Sequence, residues 1–287
     1  MKGITLAFSA LAAFVSLSCG DITERRDPFT LYSHLPAEPG TLNPITSTEA
    51  VADVITAHLY ETLLERDYDT LEFKPELAER WEMSPDGLVY RFYLKRGVLW
   101  SDGVEFTADD VVYSFAMLKS PAVASASWKV YFLDVARIRK LDRYTVEFQC
   151  TRPYFMRLEF LGGMPIVPRH VYDNGQDFNA HPADRAPVGT GPYKFERWDT
   201  GKRIVLAVNE RYRGRLPEIK RVVYRVVPEQ NVALLMLKKG ELDVMTVSNI
   251  QWVRQTTTGR FGNDFYKLIY FLPNYSYIGW KAGRDLF

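Results

Sequence analysis

The sequence predicts an α/β fold, because segments with the two-residue period of a strand alternate with segments that have the period of a helix. Residues 88–94 alternate apolar and polar side chains, and a helix cap follows at Thr107. Residues 222–247 contain a strand, a helix and a second strand in that order. A strand–helix–strand unit of this length joins two parallel strands, which is typical of α/β proteins.

The first of these stretches lies between two turns. Residues 84–87 and 101–103 supply the proline, aspartate and glycine that tight turns favour. Thr107 can cap a helix, and Asp110, three residues later, can bond back to the Thr107 amide. The predicted inward side chains are Leu88, Tyr90, Phe92 and Leu94 in the strand and Val111, Val112, Phe115 and Leu118 in the helix.

The second stretch predicts where a ligand would collect. A strand that Pro228 ends precedes a helix over residues 229–239, Gly240 can terminate that helix, and residues 242–247 form the next strand. In open parallel sheets, ligands bind beyond the carboxyl ends of the strands. Here that end is residues 246–249. The apolar positions behind this prediction are Val222, Tyr224 and Val226 in the first strand and Val232, Leu235 and Met236 in the helix.

Another helix is predicted after a loop near the start of the chain. Residues 29–32 have the character of a strand, and residues 36–40 that of a loop. Thr46 and Glu49 have the spacing of a capping box, which would open the helix. Its predicted apolar side consists of Val51, Val54, Ile55, His58, Leu59 and Leu63.

The amino terminus predicts export. Lys2 precedes an apolar segment over residues 4–17, which is short for a membrane span and typical of a signal peptide. Cys19 follows it and resembles a bacterial lipoprotein site, so residues 1–18 are predicted as the signal peptide and residues 19–27 as a lipid-anchored tether. The alternative is an ordinary secretory signal. With Cys19 acylated, Cys150 would have no disulfide partner and would be a small buried hydrophobe.

Composition and charge predict a globular protein and exclude a protein whose overall charge would attract nucleic acid. Apolar residues make up 47% of the chain and charged residues 25%, which is sufficient for a sizeable core. The 36 Lys and Arg residues nearly balance the 35 Asp and Glu residues, so no overall field would attract nucleic acid. A local basic cluster is predicted to be a solvated loop; it consists of Arg211, Arg213, Arg215, Lys220 and Arg221.

Catalytic and metal-binding patterns are weak. Ser33, His34 and Asp53 can be combined into a triad, yet no Gly-x-Ser-x-Gly motif supports it. Residues 189–191 (Gly-Thr-Gly) resemble part of a phosphate loop, but Pro192 removes an amide donor and no Lys-Ser/Thr pair follows. The four histidines, which form no close ligand pair, are His34, His58, His170 and His181. We therefore expect neither an enzyme nor a resident metal or cofactor, and a secreted hydrolase is the less favoured alternative.

Five ordered motifs resemble one protein family. They are residues 41–44 (TLNP), the run over 78–114, residues 165–170 (PIVPRH), 187–193 (PVGTGPY) and 240–244 (GELDV). They resemble the family 5 extracellular solute-binding proteins, the dipeptide- and oligopeptide-binding components of bacterial ABC importers. The resemblance implies a periplasmic-binding-protein-like (type II) bilobed fold, here incomplete, with a first lobe and an inserted small domain.

The resemblance also implies domain limits. The main lobe would consist of residues 28–60 and 184–276, the inserted small domain of residues 61–183, and residues 277–287 would begin a second lobe. Members of the family continue further, so we expect an incomplete chain, whether from a truncated gene, a fragmentary gene model or deliberate shortening. The acidic anchor that the family uses for a peptide amino terminus would lie in the other lobe.

The ligand implied by the family is an extended peptide, held by main-chain hydrogen bonds and loosely selective pockets. ABC permease subunits would be the protein partners, and no nucleic acid partner is expected. The protein would be periplasmic or at the cell surface, held to the membrane by its lipid anchor. Nickel, haem, sugars and opines are the alternative ligands. The candidate ligand-binding residues are Glu38, Gly40 and Leu42 in one loop, Thr246, Ser248 and Asn249 in another, and Asn274, Tyr275 and Tyr277 near the hinge.

Overall fold

The computed structural model of the protein describes residues 27–67 and 69–269. Within these ranges, ten strands form two four-stranded sheets and one short hairpin, and helices lie between them. The strands are β1 (Thr30–Leu35), β2 (Leu64–Arg66), β3 (Phe73–Pro75), β4 (Ala78–Met83), β5 (Val89–Leu94), β6 (Val135–Asp142), β7 (Thr145–Cys150), β8 (Tyr193–Asp199), β9 (Arg203–Val208) and β10 (Arg221–Val226).

Eight α-helices occur in the described residues, and most are short. They are α1 (Ala50–Leu59), α2 (Ala108–Lys119), α3 (Ala126–Lys129), α4 (Arg157–Gly162), α5 (Arg169–Tyr172), α6 (Gln230–Lys238), α7 (Asn249–Arg254) and α8 (Gly259–Asp264). The same part of the chain contains three single turns of 3-10 helix, at Val130–Phe132, Phe178–Ala180 and Pro182–Asp184. None of the helices in the described ranges is long and apolar enough to cross a membrane.

The first sheet has the order β1-β10-β9-β8, and only the β1–β10 pair is parallel. Successive strand residues point to opposite sides of the sheet, so apolar side chains lie on both faces. Helices cover both faces. On one face, Ile55 and Leu59 of α1 pack with Val222 and Tyr224 of β10. On the other face, α6 contributes Leu234 to a smaller cluster that Tyr32 of β1 contacts, which makes a three-layer α/β arrangement.

The second sheet is antiparallel, in the order β4-β5-β7-β6, and carries the largest core. The alternation predicted for residues 88–94 is confirmed, since Tyr90, Phe92 and Leu94 are buried. The cap predicted for α2 is confirmed as well: the Thr107 amide donates to the Asp110 carboxylate at 2.8 Å, and Thr107 Oγ1 accepts in return from the first turn. Cys150 is buried with a free thiol, as predicted.

The capping box predicted at Thr46 and Glu49 is wrong. Helix α1 begins at Ala50 with Glu49 as its cap residue, and the Glu49 side chain makes no capping hydrogen bond. The Glu49 carboxylate instead accepts from the Gly40 amide at 2.9 Å. The apolar side was also assigned too widely, because Val54 is exposed.

The predicted face of α6 is wrong too. Val232 and Leu235 are 49% and 52% exposed, whereas Ala233, Leu234 and Leu237 are buried. Residues 232–237 are all apolar, so helical spacing alone selects no single face. Gly240 ends the helix with a positive φ of 74°, as expected for a left-handed terminus.

The strand predicted over residues 242–247 is reduced to one bridge. Val244 pairs in parallel with Ser33 of β1, so the strand–helix–strand topology holds, with β1 between the two strands. Beyond Val244 the chain leaves the sheet, because the Thr246 carbonyl accepts from the Gln230 side chain at 2.6 Å and Ser248 opens α7.

Candidate functional site

The carboxyl ends of the parallel segments meet at one edge of the first sheet, which we call the carboxyl edge. Residues 36–49 follow β1, residues 227–229 follow β10, and residues 245–248 follow the bridge at Val244. Parallel strands place their carboxyl ends together, so these three loops lie at the same edge. The edge therefore brings together the two predicted loops of ligand-binding residues.

Glu38 anchors the first of these loops to the β8–β9 hairpin. Its Oε1 accepts from the Trp198 indole nitrogen at 2.5 Å, and its Oε2 accepts from the Gly201 amide at 3.0 Å. Arg185 lies 3.5 Å from the same carboxylate and stacks 3.7 Å above the Trp198 ring. The Glu38 carboxylate is thus held by three protein groups, and these contacts fix the loop.

Sequence reasoning missed Trp198 and Arg185. Trp198 lies in a strand that directly follows the predicted Gly-Thr-Gly motif, and a half-buried tryptophan normally finds an acceptor for its N–H. That general expectation was the only signal available, because Glu38 and Trp198 are 160 positions apart in the chain.

Gly40 and Leu42 occupy different environments in the same loop. Gly40 is exposed, and its amide is held by Glu49. Leu42 is 0% exposed and belongs to the core beneath α1, while its amide donates to the Asp184 carbonyl at 2.8 Å. The prediction for Leu42 therefore needs correction, because its side chain is a packing residue.

A buried polar network closes the loop behind Leu42. Asn43 Nδ2 donates to Asp184 Oδ1 at 3.0 Å, and the Tyr172 hydroxyl donates to the same oxygen at 3.2 Å. Burial raises the pKa of the Asp184 carboxyl, and the hydrogen bonds from Asn43 and Tyr172 oppose that shift. The network ties residues 41–44 to the segment that leads into β8, so this motif has a structural role.

The second predicted loop is open to solvent. Thr246, Ser248 and Asn249 are all exposed. Ser248 uses its hydroxyl to cap α7, in a capping box with Gln251, and buried Gln251 also bonds to the Gln230 carbonyl. Thr246 and Asn249 therefore present exposed side chains at this edge, and their contact with a ligand stays a prediction.

Four predicted functional residues lie outside the described residues. They are Asn274, Tyr275 and Tyr277 of the ligand-binding set and the lipidation residue Cys19.

The Gly-Thr-Gly motif is a packing device. The Gly191 amide donates to the Leu59 carbonyl at 2.8 Å, where α1 ends. A Cβ on Gly189 would lie 1.9 Å from that carbonyl oxygen, and one on Gly191 would lie 2.6 Å from the His58 carbonyl oxygen. Only glycine allows this approach of two backbones.

The four histidines considered for catalysis or metal binding each contact another protein group. His34 Nε2 lies 2.9 Å from the Val227 carbonyl, and His58 Nδ1 lies 2.9 Å from the Val54 carbonyl. His170 contacts Asp102 at 2.7 Å, and His181 accepts from the Ala183 amide at 3.1 Å. Within residues 27–67 and 69–269, no three His, Cys, Asp or Glu side chains are grouped so that they could hold a metal ion.

Comparison with known proteins identifies the family. The model for "Bacterial extracellular solute-binding proteins, family 5 Middle" matches residues 72–276. The oligopeptide-binding protein AppA of Bacillus subtilis is 30% identical over 259 residues, which are 87% of this chain and 46% of AppA. The chain therefore spans about half the length of this relative.

Solved structures agree. The periplasmic binding protein DppA from Helicobacter pylori, in complex with the peptide STSA, superposes with a TM-score of 0.73 at 32% identity, covering 79% of this chain and 48% of DppA. NikZ from Campylobacter jejuni, in complex with Ni(L-His), gives 0.72 at 30% identity, covering 80% and 46%. These matches confirm the predicted type II periplasmic-binding-protein fold. The chain belongs to the bacterial extracellular solute-binding proteins of family 5.

Proposed function

We propose that this chain captures peptides outside the cytoplasm for an ABC importer and delivers them to its permease subunits. The observation that carries the proposal is the match to an oligopeptide-binding protein over 87% of the chain. We place the peptide-binding site at the carboxyl edge. This position is supported by the exposure of Thr246 and Asn249 and by the fixed loop at Glu38. Exposed backbone and small polar side chains suit a peptide of varied sequence.

Nickel, as bound by NikZ in its complex with histidine, is the second candidate ligand. The four histidines of this chain each contact another protein group, so the arrangement favours a peptide. Haem, sugars and opines are further candidate ligands for the same fold. A secreted hydrolase is less favoured, because the relatives are named as binding proteins.

Calorimetry with a mixture of di- to pentapeptides tests the proposal. The relatives are about twice as long, so we expect this chain to supply about half of the contacts of an enclosed ligand. Half of a micromolar binding free energy is about −4 kcal/mol, which corresponds to roughly millimolar affinity. Binding of a nickel–histidine complex without any peptide binding would overturn the proposal, and new peptide products would identify a hydrolase.

We also propose the arrangement of the chain around this site. Residues 28–60 and 184–276 would form the main lobe, and residues 61–183 the inserted small domain. All strands of the first sheet fall in the first set and all strands of the second sheet in the other, which supports the division. Hydrogen–deuterium exchange that protects the two sheets as separate units would test it.

Anchoring through Cys19 completes the proposal. Residues 1–18 would be removed as a signal peptide, residues 19–27 would be the tether, and acyl chains on Cys19 would hold the protein at the periplasmic or cell surface. A single acyl chain binds a membrane only marginally, so we expect at least two acyl chains on the mature protein. Mass spectrometry of the mature protein tests this, and an unmodified amino terminus elsewhere would contradict it.

A further inference from the structure

The outer face of the second sheet carries a concentration of arginines. Strand alternation directs one side of β4, β5, β7 and β6 away from the core. Glu82 pairs in register with Arg91, and Glu147 with both Arg91 and Arg139. The arginine face, as we call it, is defined by Arg80, Arg91, Arg137 and Arg139.

The carboxylates on this face do not fully neutralise its arginines. Arg80 bonds to Glu82 at 2.5 Å, Arg91 bonds to Glu147 at 2.7 Å, and Arg139 bonds to the other oxygen of Glu147. Arg137 donates to the neutral Gln149 side chain at 2.8 Å. Asp142 of β6, opposite Thr145 in register, is a third carboxylate on this face, so four guanidinium groups against three carboxylates leave an excess of one positive charge. Arg137 is the guanidinium that bonds to a neutral side chain.

The guanidinium groups are fixed in place. Arg80 stacks 3.3 Å above the Tyr93 ring, whose hydroxyl donates to Glu82 at 2.8 Å. The side chain of Glu147 is only 5% exposed, whereas Arg91 and Arg139 above it are 37% and 45% exposed. Each guanidinium has five donors, so N–H groups remain for a partner at little further cost in side-chain entropy.

We propose that the arginine face docks an acidic protein surface. Glu147 lies between Arg91 and Arg139, which shows that their spacing accommodates a carboxylate. The cations on this face are arginines, whose fork geometry suits bidentate bonding to Asp and Glu side chains. The face belongs to the second sheet, whereas the carboxyl edge belongs to the first, so this docking site is separate from the proposed ligand site.

Binding to poly-L-glutamate, measured by fluorescence anisotropy against salt concentration, tests the proposal. The variant that carries Arg80→Gln, Arg137→Gln and Arg139→Gln should bind about tenfold more weakly. The matched control carries Arg197→Gln, Arg215→Gln and Arg221→Gln, which remove the same charge from exposed ion pairs elsewhere. The control should change by less than about twofold.

Equal losses in the two variants would overturn the proposal, as would absence of binding by the unmodified chain at low salt. Stronger binding to phosphatidylglycerol vesicles than to poly-L-glutamate, lost in the first variant, would also overturn it in favour of a lipid surface. The single substitution Arg137→Glu separates loss of binding from loss of folding. Arg137 bonds only to neutral Gln149 on this face, so its replacement breaks no ion pair. It should weaken binding while the unfolding temperature stays unchanged.

Discussion

Arg213 Nη1 lies 2.6 Å from both carboxylate oxygens of Glu61, a residue 152 positions earlier in the chain. Its other terminal nitrogen donates to the Glu76 carbonyl at 3.0 Å. The arginine lies in the loop between β9 and β10 of the first sheet, and both glutamates lie in the segment that leads to the second sheet. This contact links the two sheets. The basic cluster is exposed, as predicted, but the Arg213 side chain reaches back to buried Glu61 and Arg221 lies in β10.

Replacing Arg213 by Met should destabilise the protein by about 3 kcal/mol. The Glu61 side chain is 3% exposed, so removal of its partner leaves a buried charge without compensation. Urea unfolding gives the change in the free energy of unfolding. The control is Arg215→Met, whose ion pair with Glu218 is almost fully exposed and should contribute less than about 1 kcal/mol. Similar effects of the two substitutions would contradict a buried ion pair.

Glu76 should make stability fall as pH rises. Burial, followed by the negative charge of Glu61, raises the pKa of its carboxyl to about 7 from an ordinary 4.5. Because the pKa is higher in the folded state, protonated Glu76 contributes to the free energy of unfolding. This contribution is complete below about pH 4.5 and is lost as pH rises through about 7. Glu76→Gln should remove this dependence, on the order of 2 kcal/mol between pH 5 and pH 8.

Urea unfolding of both proteins at the two pH values measures the effect, and the difference between them removes contributions from other titrating groups. Glu79→Gln is the matched control, because Glu79 is exposed nearby. If the Glu76 variant keeps the same pH dependence as the unmodified chain, another group is responsible.

Sequence reasoning succeeded where the signal is local. The Thr107–Asp110 box, the alternation of β5 and the glycine that ends α6 depend on residues within a few positions of one another. It failed where several local choices are equally good, as in α6, whose continuous apolar stretch allows more than one buried face. It also failed for Thr46, whose hydroxyl is buried without a hydrogen-bond partner among the described residues.

The candidate site was predicted in position more than in detail. The carboxyl edge follows from the parallel topology, which the sequence pattern indicates. The contacts that set its geometry are not visible in the sequence, because Glu38 meets Trp198 and Asn43 meets Asp184 only after the chain has folded. The family resemblance predicts Glu38 at the ligand through its position in the loop after β1. Its carboxylate is engaged with Trp198 and Gly201, so a direct contact with a ligand stays a prediction.

Glu38→Ala should loosen the loop over residues 36–40 more than it destabilises the fold. The substitution leaves the half-buried Trp198 indole N–H without its acceptor, at a cost of about 1–3 kcal/mol, and frees the Gly201 amide. Limited proteolysis should cut this loop several times faster. Glu38→Gln keeps an acceptor for Trp198 and should recover most of the protection; equal cleavage of both variants and the unmodified chain would show that the loop is held by other contacts.

Gly189→Ala should prevent stable folding, because the added Cβ would lie 1.9 Å from the Leu59 carbonyl oxygen and neither backbone can move without breaking its hydrogen bonds. Overpacking of this kind typically costs about 1–3 kcal/mol in a core that can adjust, and we expect about 3 kcal/mol or more against fixed backbone. The matched control is Gly262→Ala in α8, where a Cβ meets nothing within 4 Å. Alanine favours a helix over glycine by about 0.5–1 kcal/mol, so the control should be as stable as the unmodified chain or slightly more so.

Thermal unfolding followed by circular dichroism measures both variants. A Gly189 variant that unfolds at the unmodified temperature would mean that α1 and the Gly-Thr-Gly segment do not pack backbone to backbone.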